Sequence, residues 1–252
     1  MCQYKNFRLD ESVRENIPSI LEFLLPLYEK KFGSSYIYGE DCTISNSCLL
    51  EYPQFELSEL PVRIRLCLTS TQYWCQAILQ LSHELCHYTL RQYRLASGYS
   101  SWLSWFEEII ATAFSWYALQ YSADNWSRCK LSQASQPTAK YTNSLSEYLR
   151  CQQERAANRS FAACNTSGLL VQYDIERKAE MDRQSQLVEI RTVFHIFANA
   201  NDSLHNIGNY YLYRSDDGVT IDFDQWHHDT NDPIILALKS IQPVKLPVQC
   251  DS

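Results

Sequence analysis

Residues 11 to 32 repeat apolar positions at the spacing of an amphipathic helix, bent at its prolines and closed by Gly33. Three stretches with strand character follow: SYIYG (35 to 39), CTISNSCLLEY (42 to 52) and VRIRLCLT (62 to 69). In the last, Val62, Ile64, Leu66 and Leu68 alternate with Arg63, Arg65, Cys67 and Thr69, the period of a half-buried strand. Ser70 or Thr71 is placed to cap the next helix, which runs from Gln72 to about Tyr93 without Pro or Gly. Its apolar positions are Trp74, Ile78, Leu81 and Leu85. LASGYSS (95 to 101) interrupts the pattern, and SWFEEIIATAFSWYALQY predicts a third helix over 104 to 121.

The second half is more polar at its start. NWSRCKLSQASQPTAK (125 to 140) contains Pro137 and reads as a linker or long loop. Helices are predicted near 142 to 158 and 175 to 199. A strand pair, NYYLYR and GVTIDF, flanks the turn SDDG, and a short helix closes the chain near 233 to 241. No internal repeat or low-complexity tract is present.

Composition narrows the function classes. With 252 residues the chain can bury a substantial core, as one large domain or as two smaller ones. Only 6 residues are Gly, and neither GxGxxG nor GxxxxGK[ST] occurs, which argues against Gly-rich phosphate loops. A net charge of −7 repels phosphate backbones, so no direct nucleic-acid partner is expected. The ten cysteines contain no CxxC pair, and the chain is long for a disulfide-stapled fold. They read as reduced thiols of a cytoplasmic protein. The opening MCQYKNFRLDESVREN is too polar for a signal peptide. The apolar run near it is short and broken by Pro18, Glu22 and Pro26, so no membrane span is expected there.

The chemistry concentrates in QLSHELCHYTL, residues 80 to 90. Four residues advance an α-helix by about 400°, so His83 and His87 project from one face a turn apart. That separation lets two imidazole nitrogens reach one Zn²⁺ at about 2.0–2.1 Å. Glu84 is rotated by about 100° from His83, near such an ion without ligating it. The alternative is a pair of satisfied histidines on a packed helix. Two contexts favour the metal: the motif follows an alternating strand, and the next helix carries Glu107 and Glu108, either of which can supply a third ligand.

This order of parts resembles the gluzincin metallopeptidases, and within them most the small ImmA/IrrE-type peptidases. Their second helix has a pattern close to Glu-x-x-Ala-x-x-Phe-small, matched by Glu108-Ile109-Ile110-Ala111-Thr112-Ala113-Phe114-Ser115. The matched region covers roughly residues 60 to 120. The resemblance implies that His83, His87 and Glu108 ligate zinc and that Glu84 is the general base. Larger thermolysin-like members have an Asn before the ligand Glu and an Asp four residues after it. Glu107 and Thr112 stand there instead, so the carboxylate that would orient a ligand histidine is missing from its usual place.

The fold this implies is α+β and zincin-like: a small, mostly antiparallel sheet on the HExxH helix, crossed by the glutamate-bearing helix. Residues 1–125 would form that core. Residues 126–252 would form a largely helical region, either separate or part of the same domain. The implied activity is zinc-dependent endopeptidase action on a protein or peptide substrate, such as a transcriptional regulator, with strand 62 to 69 offering an edge to the peptide. A zinc-bearing regulatory or interaction module whose peptidase activity is weak, latent or lost is the competing reading. His195, His205, Tyr210, Tyr211, His227 and His228 are candidates for the donor to a developing oxyanion, His195 and His205 foremost. Cys86 is either packing or a redox-sensitive thiol. FDQWHHDTND (223 to 232) reads as a polar loop rather than a second metal site, and Trp102, Trp105, Trp116 and Tyr117 as core or cleft wall.

Overall fold

The structure, a computed structural model, describes residues 6–56, 61–99, 102–133, 138–155, 186–200 and 203–242. Strand β1 (Phe7–Leu9) leads into a short 3-10 turn at Glu11–Val13. Helix α1 (Ile17–Phe32) follows. The single helix expected over 11–32 is thus split. Pro18 lies in the first turn of α1, where its missing N–H costs nothing and its fixed φ favours helix. Gly33 ends the helix at φ 88°, a conformation that suits glycine.

Strands β2 (Cys42–Asn46), β3 (Gln54–Glu56) and β4 (Val62–Leu66) complete a four-stranded sheet of order β1-β2-β4-β3. The β1–β2 and β2–β4 pairings are parallel, and only β3–β4 is antiparallel. The sheet is therefore mixed rather than mostly antiparallel. The long α1 crossover lets β1 and β2 run the same way, whereas the short β3–β4 link forces reversal. β4 is apolar on its buried face and places Arg63 outside, as its alternation predicts. It is an interior strand, however, and the edge is β3.

SYIYG forms no strand. Ser34–Tyr36 make a 3-10 turn, and Tyr36 stacks on Tyr93 with ring centroids 3.5 Å apart. Beyond Leu66, side chains replace ladder bonds: Asn46 bonds both backbone groups of Leu68, and Gln80 both of Cys67.

Helix α2 (Trp74–Ala96) has no side-chain cap; Ser70 Oγ instead accepts from Gln72 N in the preceding turn. α2 packs on the sheet and on α3 (Ser104–Asn125). Within the expected linker at 125–140, Trp126–Arg128 and Lys130–Gln133 form 3-10 turns, and 134–137 lie outside the described residues. Its polar composition conceals one anchor, the buried Trp126, which meets Phe23, Trp74 and Tyr141. Helix α4 (Thr138–Arg155) follows. Of the helix expected over 175–199, Leu187–Asn199 is observed as α5; residues 175–185 lie outside the described residues.

The expected strand pair is also replaced. NYYLY belongs to a 3-10 segment, His205–Tyr213, and a single antiparallel bridge, Arg214–Ile221, closes the turn after it. The Asp/His-rich stretch is helix α6 (Phe223–Thr230), not a loop. Asp222 caps it by accepting from Gln225 N, and Phe223 and Trp226 bury one face. α7 (Pro233–Leu238) and a 3-10 turn at Lys239–Ile241 match the expected closing helix.

The second half shares the core of the first: Phe114 of α3 meets Phe197 of α5, and the Trp105 indole donates to Val219 O. Among the described residues no helix is long and apolar enough to cross a membrane.

Candidate metal centre

Helix α2 carries His83, Glu84 and His87 on its inner side, exposed by 5%, 1% and 5%. α3 packs against it and brings Glu108 opposite the two imidazoles. His83 Nε2 and His87 Nε2 are 3.1 Å apart. Glu108 Oε2 lies 3.3 Å from His83 Nε2, and Oε1 lies 3.3 Å from His87 Nε2. Donors about 2.0–2.1 Å from a tetrahedral ion would be separated by roughly 3.3 Å. The Glu108 carboxylate thus faces one imidazole with each oxygen, and one donor atom from each of the three residues lies within 4.8 Å of the others, close enough to share a metal ion.

What lies behind the rings fixes their chemistry. His83 Nδ1 faces Thr112 Oγ1 at 3.3 Å, and His87 Nδ1 faces Glu107 Oε2 at 3.5 Å, the outer limit of hydrogen bonding. With a metal bound, a proton held at Nδ1 against these oxygens would leave each Nε2 lone pair available to ligate. Burial would push the Glu108 carboxyl up, but the neighbouring His87 and His83 rings outweigh it and hold it well below its ordinary value. The donor set fits a metal ion. His83, His87 and Glu108 form the one such cluster among the described residues, so α6 holds no second site there.

Glu108 joins the two histidines in the cluster that could hold a metal ion, and Glu107 stands behind His87. Glu107 is fully buried, with Oε1 paired to Arg94 and bonded by the Tyr210 hydroxyl. It places a carboxylate behind His87, whereas position 112, the usual place of the orienting Asp, puts the Thr112 hydroxyl behind His83. Glu108→Ala, which removes a ligand, is therefore expected to weaken metal binding more than Glu107→Ala, which removes an outer partner worth about 10–100-fold. Titration of each variant against a zinc chelator checks the order. The reverse ranking would mean that α3 presents Glu107.

A cleft of about 270 Å³ opens over the cluster. Residues 52–56 line one side and Trp102 another, with Glu84, His87 and Glu108 within. Trp102, 39% exposed, is cleft wall, whereas Trp105 is core. Trp116 is buried in the core, and Tyr117 packs partly buried against it. None of the six expected oxyanion donors lines this cleft. His195 faces a separate open groove between α5 and α7. His205 is exposed and bonded to Ser203 Oγ. The Tyr210 and Tyr211 hydroxyls bond Glu107 and Ser97, and His227 Nδ1 faces Asp232 O. His228 lies on α6.

The side chains with N–H or O–H groups that do line the cleft are Tyr52, Gln54 and Trp102, besides His87. Tyr52 carried no sequence signal beyond a strand expectation, and Gln54 carried none. Arg94 likewise had no local pattern marking it, since its partner Glu107 lies 13 residues away, whereas Thr112 stands where the larger thermolysin-like members carry the orienting Asp and does face His83.

Cys86 is packing. It is fully buried, and burial, with Glu108 and Glu84 nearby, pushes its thiol far above the ordinary value. We expect it to resist a thiol-alkylating reagent in the folded protein while exposed Cys48 reacts, read by mass spectrometry. Modification of Cys86 at the rate of Cys48 would mean that α2 opens. The seven described cysteines, 42, 48, 67, 75, 86, 129 and 151, are all free thiols.

No protein-family model matches the chain, and no curated protein or solved structure does either.

Proposed function

We propose that the chain is a zinc-dependent metallopeptidase of gluzincin type, an endopeptidase acting on a specific protein partner. The observation that carries this reading is the convergence of His83 Nε2, His87 Nε2 and Glu108 on one point, with Glu84 in the same cleft. Two imidazoles and one carboxylate suit zinc and leave it open to substrate. When bound, the ion would supply Lewis acidity, acidifying a water and polarising a carbonyl.

The remaining steps fall to the chain's own side chains. Glu84 neighbours His83 on α2, yet is not in the ligand cluster. Its carboxylate would take a proton from the attacking water and return it to the leaving amine. The edge strand β3 borders the cleft, so an extended peptide would add alongside it, placing a backbone carbonyl near the ion. The rim offers the Tyr52 hydroxyl, the Gln54 amide and the Trp102 indole as donors to the developing oxyanion. A transcriptional regulator is the kind of substrate that the resemblance to the ImmA/IrrE-type peptidases implies. No nucleic acid need be touched for that role.

A comparison of new protein N-termini in cells expressing wild type or Glu84→Gln tests the proposal. Cuts present only with wild type are expected. Identical sets of termini would leave a zinc-bearing regulatory module as the better account.

A further inference from the structure

The 3-10 segment His205–Tyr213 belongs to the half of the chain that the HExxH pattern does not reach, yet it presses on both helices of the metal centre. Gly208 lies so close to α2 that a Cβ there would fall 2.3 Å from Tyr93 Cγ. The Tyr211 hydroxyl bonds Tyr93 O at 3.2 Å and Ser97 Oγ at 2.6 Å. Tyr210, 1% exposed, reaches further. Its hydroxyl donates to Glu107 Oε1, and accepts from Leu103 N at 3.2 Å and from Arg94 Nη1 at 3.4 Å. One phenol thereby ties the start of α3, the end of α2 and the carboxylate behind His87.

The fork of Glu107 is what gives this contact a consequence. Oε1 is occupied by Tyr210 and Arg94, and Oε2 is left facing His87 Nδ1. A buried carboxylate held at one oxygen by two donors cannot swing its other oxygen away from the imidazole without breaking both bonds.

We propose that Tyr210 is a positioning residue of the metal centre, acting through Glu107 on His87, so that docking of residues 205–213 and metal affinity are coupled. The inference rests on the cluster holding a metal ion, not on what the ion is used for. Linkage makes the effect reciprocal: the factor by which the docked segment tightens metal binding is the factor by which metal stabilises docking.

The test compares Tyr210→Phe with Tyr211→Phe. Each removes one hydroxyl from the same segment, but only Tyr210 reaches Glu107. Zinc affinity is measured by chelator competition, coordination geometry by the visible absorption of Co²⁺-loaded protein, and folding by melting. Tyr210→Phe should weaken zinc roughly three- to tenfold, less than the 10–100-fold of a ligand's direct outer partner, and shift the cobalt bands. Tyr211→Phe should leave both unchanged. Added to Glu107→Gln, Tyr210→Phe should have little further effect on affinity, because the path is already cut. This comparison is read on melted-profile-matched samples, so loss of fold is not mistaken for loss of orientation. Wild-type affinity in Tyr210→Phe, equal losses in the two phenylalanine variants, or full additivity with Glu107→Gln would overturn the inference alone. Failure of the wild type to bind zinc or cobalt would overturn the metal reading as well.

Discussion

Replacing His83 and His87 together by Ala is expected to take the protein from about one zinc per chain to background, as elemental analysis would show. Two of the three converging donors vanish, and the remaining one, Glu108, is a single carboxylate. The same change should make stability indifferent to chelators. A ligand that binds only the folded state stabilises it by about 4 kcal/mol at a thousandfold excess over its Kd, so wild type should lose melting temperature when stripped of zinc. The double variant has no such increment to lose. Acid should weaken zinc uptake by the wild type, since protons compete for the same imidazole nitrogens. Unchanged zinc content in the double variant would move the site elsewhere on the chain.

The part of this centre that was legible in the sequence is the part that helical geometry determines. The spacing of His83 and His87 puts both on one face, and the 3.1 Å between their Nε2 atoms follows from that spacing together with packing. The choice of Glu108 came from a pattern on the neighbouring helix and agrees with the geometry. The strand β4 and the helices α2 and α3 were legible because each buries one clean face over several repeats.

What was missed has a common cause. The mixed sheet depends on which strand inserts beside β2, a long-range choice that no local alternation encodes. The stretch at 209–223 alternates like a hairpin, yet Tyr210 and Tyr211 are captured by helices about a hundred residues earlier in the chain, and the backbone coils to deliver them. The helix Phe223–Thr230 hid because only Phe223 and Trp226 of its residues are buried and its polar residues resemble a loop. His195 and His205 were chosen by residue type, and type says nothing about which way an element faces.

Glu84→Gln is expected to separate catalysis from scaffolding. Glu84 is 1% exposed, lines the cleft and lies outside the ligand cluster. The amide keeps the volume and shape of the carboxyl, so the packing of α2 should survive. The three ligands are untouched, and zinc content and melting temperature should stay near wild type. What the amide cannot do is accept a proton. A positioned general base typically contributes 10²–10⁴ in rate, and a peptide bond cut through that base should slow by such a factor. Binding does not need the base, so the substrate should remain seated along β3, tightly enough for the partner to co-purify with the variant. Partner cleavage in cells, read beside zinc content and melting of the purified variant, decides the matter. If Glu84→Gln keeps its zinc, its fold and the full cellular effect, the centre does not work by hydrolysis.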